Sequence, residues 1–388
     1  MRRPLSDCRV LDLGIITAGA ATSALLADLG AQVVKVESSA YQDPFRAWAP
    51  TATGVSGASP FFRSTNRNKL CAAINLKHRA GRDAFLRLVS QYDVVVENFR
   101  RGVLPRLGLG YDELFAVNPD IILASISSQG EDGPHAGHVS FGSTLDAMSG
   151  LAWMSGEPAE GPMLSGQDLN YPDQVVSMFA ASAIAAAWRR RNQGKGGVHL
   201  DVSQRELTSY LCGEAFASDD AGRRLGNTDP DFAAQGCFRA SDGVWLAVSV
   251  PFAARNAGWL EQCEPLETRL EAWIHMRGSE EACAELKSLG VFAQPVLNSA
   301  EAYRNCDDRM FAMQTLGDGS LVKGFPFQFA NHPMTVDRDA PGLGAHTEEV
   351  LAEAGFSRAE IDDLRACGAI ETGANDRPRA TPAAAALT

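Results

Sequence analysis

Between residues 9 and 127, short runs of Val, Ile and Leu alternate with amphipathic stretches, and this rhythm constrains the fold more than any other feature of the chain. Arg9-Val10-Leu11-Asp12-Leu13 reads as a strand, residues 20–29 as a helix that Gly30 ends, and Gln32-Val33-Val34-Lys35-Val36-Glu37 as a second strand. Further strands are expected at 71–76, 93–99 and 121–127, with a helix at 80–90. Near-continuous apolar strands separated by helices imply an α/β fold, with a parallel sheet covered on both faces. Ligands on such sheets gather beyond the carboxyl ends of the strands. The segments 14–20, 38–46, 98–102 and 128–134 are therefore expected to line a site.

The character changes after about Leu211. Strands are expected at 236–240 and 243–250, helices at 267–276 and 279–289, and an extended segment at 290–297. Two closing helices, 347–354 and 357–367, are separated by Gly355. A chain of 388 residues is long enough for about two domains. The expected division is a large domain over 1–210 completed by 335–372, and a smaller α+β domain over 225–325. The Ala-, Pro- and Thr-rich tail 373–388 is expected to be disordered.

A net charge of -12 argues against general nucleic-acid binding. No apolar run reaches the roughly 18–20 residues that span a bilayer, so no membrane partner is expected. Met1-Arg2-Arg3-Pro4 is followed by a strand rather than by a signal-peptide core, so no targeting segment is expected, and a cytoplasmic location follows. The eight cysteines are scattered, with no C-x-x-C pair and no His at zinc spacing. Reduced thiols and no metal are the expectation.

Several short motifs lie at the expected ligand edge. Gly14 and Gly19 join the first strand to the first helix, but neither a dinucleotide fingerprint nor a P-loop is present. Amides at that helix start can still hold a phosphate or a thioester oxygen. Asn66-Arg67-Asn68-Lys69, taken alone, reads as a solvated turn. Arg100, Arg101 and Arg106 follow the fourth strand, and three arginines on an acidic chain suit a phosphate-bearing ligand or a solvated basic face. Tyr171-Pro172-Asp173 opens a long apolar helix that runs to Trp188 and closes on basic residues and glycines. Asp173 there is either a helix cap or a carboxylate that the helix N-terminus keeps ionised as a nucleophile.

In order along the chain, these segments resemble the class III CoA-transferases, the CaiB/BaiF family to which formyl-CoA transferase belongs. The resemblance rests on Arg9-Val10-Leu11-Asp12-Leu13, Leu26-Ala27-Asp28-Leu29-Gly30-Ala31-Gln32-Val33-Val34-Lys35-Val36-Glu37 and Asn66-Arg67-Asn68-Lys69. It continues through Val96-Glu97-Asn98-Phe99-Arg100, Arg106-Leu107-Gly108-Leu109-Gly110-Tyr111, Asn118-Pro119 and Leu225-Gly226-Asn227, and ends in Leu343-Gly344-Ala345-His346-Thr347-Glu348-Glu349-Val350-Leu351.

The resemblance implies a Rossmann-like large domain with a parallel sheet, a smaller α+β domain and an interlocked homodimer. It implies that coenzyme A is bound as acyl-CoA by Ile16, Thr17 and Ala18, by Ile74 and Lys77 at the adenine end, and by Asn98, Phe99, Arg100 and Arg106. It also implies that Asp173 carries CoA from an acyl-CoA donor to a carboxylic acid acceptor, through a mixed anhydride and an aspartyl thioester. Asp168 is the competing position for that nucleophile. Thr17, Ala20, Ser38 and Ser177 depart from the family's usual Gln, Pro, Arg and Gly, and no glycine-rich lid is evident near 229–236. A racemase or isomerase of the same superfamily is the alternative; its catalytic His would fall near Phe141, with His138 earlier in the loop. A CoA-binding relative without turnover is the third reading.

Overall fold

The computed structural model describes residues 3–48, 59–165, 169–217, 222–255, 265–304, 313–331 and 334–373. The chain divides into two compact units, one formed by Met1–Ser149, Ser165–Gly213 and Phe311–Thr388 and the other by Gly150–Leu164 and Glu214–Met310.

The first unit is built on a sheet of seven strands. In chain order they are β1 (Arg9–Asp12), β2 (Gln32–Glu37), β3 (Leu70–Ile74), β4 (Val94–Glu97), β5 (Ile122–Ser127) and β6 (Val198–Ser203), closed by Ile370–Glu371. The spatial order places β3, β2, β1, β4, β5 and β6 side by side, all parallel, and Ile370–Glu371 pairs antiparallel with β3. The direction of winding reverses between β1 and β4, and at such a switch point the loops part to leave a crevice.

Alternation along each strand sends successive side chains to opposite faces. Leu11, Val34, Val36 and Val95 join Phe85, Leu88 and Leu114 in the core on one face. Val10, Val33, Val94 and Val96 join Leu26, Val176, Ala180 and Ile184 on the other. The helices on this second face are α1 (Ala18–Asp28) and a twenty-residue helix, Tyr171–Arg190, which pack against each other. Almost every side chain of α1 is buried, and most are Ala, Gly, Ser or Thr, so the two helix backbones approach closely. Thr22 Oγ1 lies 3.4 Å from the Ser177 carbonyl across that contact. Full burial of Val176 and Ile184 contributes roughly 1.5–3 kcal/mol each.

Charged side chains stitch the sheet to the loops above it. Asn66-Arg67-Asn68-Lys69 is not a solvated turn: Asn66, Arg67 and Lys69 are buried. Arg67 grips Asp28, whose other oxygen accepts from Asn68 Nδ2 at 2.9 Å. Lys69 Nζ reaches Asp12 Oδ2, the Ala20 carbonyl and Asn66 Oδ1, each at 2.8 Å. The motif is hidden because every polar atom it buries has a partner inside.

The second unit contains an antiparallel three-stranded sheet, Phe232–Arg239, Trp245–Pro251 and Phe292–Pro295, backed by the helices Leu266–His275 and Ser279–Ser288. Leu246, Val248, Val250, Leu270, Ile274 and Leu286 form its core. The tail 374–388 lies outside the described residues, and so do Cys263 and Cys306; Cys8, Cys71, Cys237, Cys283 and Cys367 are free thiols. Among the described residues no helix is long and apolar enough to cross a membrane.

Candidate active site

The loop from β1 to α1 is shaped from below. Asp12 Oδ1 accepts from Gly14 N at 2.8 Å, and Lys35 Nζ donates to the Gly14 carbonyl at 2.6 Å. Lys35 also pairs with Asp43 at 3.1 Å, both side chains fully buried. Burial alone would lower the Lys35 pKa, but the charges of Asp43, Asp12 and Glu37 outweigh it and raise the pKa. Asp43 Oδ1 in turn accepts from Ile16 N at 3.1 Å. Ile16 is thereby held at φ 59°, a left-handed conformation unusual for a β-branched residue. From the β4 side, Asn98 Oδ1 accepts from Ile15 N at 2.8 Å and Asn98 Nδ2 donates to the Ile15 carbonyl at 3.1 Å. Gly14 and Gly19 permit this geometry, because a Cβ on Gly14 would stand 2.5 Å from the Gly19 carbonyl carbon.

Two cavities open at this crevice. One, of about 390 Å³, is walled by Leu13, Val36, Ile74, Leu76, Val103 and Leu107, with Lys77 and Arg100 in its lining. The other, of about 440 Å³, is lined by Ile16, Thr17, Ala18, Asn98, Arg106, Asp173 and Gln204, among others. Ile15, Tyr41, Phe99 and Arg100 belong to both walls. Tyr41 and Phe99 meet edge to face with ring centroids 5.8 Å apart. Arg101 lies 3.8 Å from Glu131, whereas Arg100 and Arg106 make no ion pair among the described residues.

Asp173 sits in the first turn of Tyr171–Arg190, but it is not the cap: Asn170 holds that position at φ 44°. The Asp173 carboxyl is pushed up to about 6 by burial, against the lowering effect of a hydrogen bond from Gln204 and with the Asp146 charge adding to the rise. Burial thus outweighs the hydrogen bond that lowers this pKa. A pKa near 6 still leaves the carboxylate form in the majority at neutral pH. Gln204 Nε2 donates to Asp173 Oδ1, and Gln204 itself is buried. Asp146, fully buried on Gly142–Ser149, accepts from Ser165 N at 2.9 Å and from Ser165 Oγ at 2.6 Å, while its Oδ1 has no hydrogen-bond partner among the described residues.

Beneath the Asn98–Arg101 loop lies a second titratable group. Glu97 Oε2 accepts from Phe99 N at 2.8 Å. Burial pushes the Glu97 carboxyl up to about 7, opposed by hydrogen bonds from Ser125 and the Phe99 amide. Ser125 Oγ lies 2.9 Å from His199 Nε2, and Tyr111 stacks on the His199 ring at 5.2 Å.

The family model for CoA-transferase family III matches residues 5–253 and 249–347. The chain belongs to that family. It is 30% identical to the succinyl-CoA–D-citramalate CoA-transferase of Chloroflexus aurantiacus, with 90% of this chain and 94% of that protein aligned. It is 34% identical to the acetyl-CoA:oxalate CoA-transferase of Acetobacter aceti, over 85% of this chain and 90% of that one. Among solved structures, a CaiB/BaiF family protein from Brucella suis aligns with TM-score 0.82 and 26% identity, covering 91% of this chain and all of that one. The α/β architecture and the CoA-transferase family are thus shared over most of the length.

In this class III chain, the residues singled out from sequence fall into the two cavities. Ile16, Thr17, Ala18, Asn98, Phe99, Arg100, Arg106 and Asp173 line the larger, and Ile74 and Lys77 line the smaller together with Phe99 and Arg100. His138 and Phe141 also line the larger one. Asp168 lies outside the described residues. Among the described residues no group of three or more His, Cys, Asp or Glu is placed to hold a metal ion. Sequence reasoning reached Tyr41 and Asp43 only as members of the expected segment 38–46, and it did not single out Asp146 or Gln204. Gln204 had a usable signal: Val198-His199-Leu200-Asp201-Val202 alternates with period two and runs into Ser203-Gln204-Arg205-Glu206, a strand followed by a helix-start pattern.

Proposed function

We propose that the chain moves CoA from an acyl-CoA donor to a carboxylic acid, with Asp173 as the nucleophile. The observation that carries this reading is the placement of Asp173 in one cavity with the strained Ile15–Ala18 loop and with Arg100 and Arg106. The apolar walls of the neighbouring cavity suit an adenine ring, with Lys77 and Arg100 near its phosphates. The pantetheine arm would then run past Tyr41 and Phe99 toward Asp173.

In the first step the Asp173 carboxylate attacks the donor thioester carbonyl, the C–S bond breaks, and CoA leaves as the thiolate. The product is a mixed anhydride of Asp173 and the donor acid. Thiolate attack on the aspartyl carbon then releases the donor acid as its carboxylate and leaves an aspartyl-CoA thioester. The acceptor carboxylate repeats the two steps in reverse order. No proton has to be supplied or removed, and the energy of the thioester is kept throughout. Backbone amides at Thr17 and Ala18, at the start of α1, would stabilise the oxyanion on the donor carbonyl.

Relatives named for succinyl-CoA, citramalate, acetyl-CoA and oxalate point to small acids as donor and acceptor. The reading also includes a homodimer whose subunits interlock. A screen of acyl-CoA donors against small carboxylic acids, read by mass spectrometry, tests the activity. Asp173→Ala is expected to keep CoA binding and lose exchange; full exchange in that variant would rule the nucleophile out. Change within one acyl-CoA, with no acceptor acid required, would instead support an isomerase.

A further inference from the structure

Resting on the assignment of Asp173 as nucleophile, we propose that Gln204 is the oxyanion donor for those steps in which the aspartyl carbon itself is attacked. Gln204 Nε2 donates to Asp173 Oδ1, and among the described residues no other side chain hydrogen-bonds to that carboxylate. The two oxygens are therefore unlike: Oδ1 is held, and Oδ2 is the one available to attack. When Oδ2 bonds to the donor acyl carbon it becomes the bridging oxygen of the anhydride, and Oδ1 remains as the carbonyl oxygen of the aspartyl group. CoA thiolate then adds to the aspartyl carbon, and the electron pair of that carbonyl moves onto Oδ1. The bond to Oδ2 breaks next, the donor carboxylate departs with its pair, and the Oδ1 carbonyl re-forms. The acceptor carboxylate passes through the same arrangement, with thiolate as the leaving group. In both steps negative charge develops on the atom that already faces the Gln204 N–H.

The donor is held in place before reaction. Gln204 is the first residue of the helix Gln204–Tyr210, directly after β6, whose last residue Ser203 pairs with Ser127 of β5. Ser203 Oγ caps that helix by accepting from Glu206 N at 3.2 Å. Thr208 Oγ1 donates to the Gln204 carbonyl at 2.7 Å, and the Gln204 side chain is buried. A fixed N–H aimed at the place where charge develops does not have to reorganise during the reaction, and one such donor is worth ~10²–10³ in rate.

The test compares wild type with Gln204→Met, which keeps the length and removes the donor, and with Asp173→Ala. Each is mixed with succinyl-CoA or acetyl-CoA, quenched at intervals, and weighed intact. Wild type is expected to gain a covalent CoA adduct, and Gln204→Met to gain it ~10²–10³ times more slowly with CoA affinity by calorimetry unchanged. A merely structural role would weaken CoA affinity along with the rate. A normal adduct rate in Gln204→Met, with none in Asp173→Ala, would overturn this inference and leave the proposed function standing. Exchange by Asp173→Ala would overturn both. If neither thioester loads the wild type, carbon-13 NMR of Asp173 decides alone. Loss of the donor is expected to tighten proton binding there by about tenfold, and an unchanged titration overturns the proposal.

Discussion

Ile16 holds φ 59° because three side chains from three different strands or loops, those of Asp43, Asn98 and Lys35, fix the backbone around it. The left-handed region costs a β-branched residue about 1–2 kcal/mol, so the loop is held where it is rather than resting there. Gly19→Ala would put a Cβ 2.6 Å from Asn98 Oδ1 and break that grip. We expect the variant to lose ~1–3 kcal/mol of stability and to bind CoA more weakly, measured by chemical denaturation and calorimetry. A second expectation concerns pH. In the proposed mechanism exchange needs Asp173 ionised, so kcat/KM is expected to fall as pH drops through about 6. The Asp146 charge raises that pKa, so Asp146→Asn is expected to move the acid limb to lower pH. A limb that stays in place or rises would show that Asp146 acts through packing instead.

At the scale of elements, β1 to β5 were readable because each is a short apolar run, and the structure begins and ends them within two residues of the sequence expectation. The strand β6 was not read, since its exposed His199 and Asp201 dilute the apolar signal at the sheet edge. That omission hid Gln204, which β6 delivers. Asn66 to Lys69 misled for the opposite reason: its polarity suggests solvent, and only the folded chain shows Asp12 and Asp28 waiting for it. Burial of Glu97 at the end of β4 carries its own consequence. Its folded pKa, about 7, lies above the ordinary carboxylate value, so the folded state loses stability as pH rises through that window. Glu97→Gln is expected to stabilise the fold at pH 8 by on the order of 1–3 kcal/mol, seen as a higher melting temperature, and to change little at pH 4. Thermal unfolding at the two pH values checks this.

For the whole molecule, the α/β class and the sheet edge where ligands gather followed from strand and helix rhythm, whereas the individual loop contacts that shape the cavities did not, because no periodicity describes them. Tyr41 and Asp43 come from the loop after β2 and meet residues distant in sequence, Phe99 just beyond β4 and Ile16 in the β1–α1 loop. Met178, Phe179 and Tyr210 leave apolar surface exposed on the helices that carry Asp173 and Gln204. That surface suits the homodimer proposed above. Sedimentation is expected to give twice 41.4 kDa, and Phe179→Asp to reduce the yield of that species.

In the proposed binding mode, the partition formed by Tyr41 and Phe99, with Ile15 and Arg100, works as a ruler. Only a long, thin molecule with a ring at one end and a reactive group at the other can lie on both sides of it at once. A thioester cut down to N-acetylcysteamine would leave the far chamber vacant and surrender the anchoring that keeps its sulfur in register. Such a stub is expected to react at Asp173 with kcat, as well as kcat/KM, well below that of the full-length thioester.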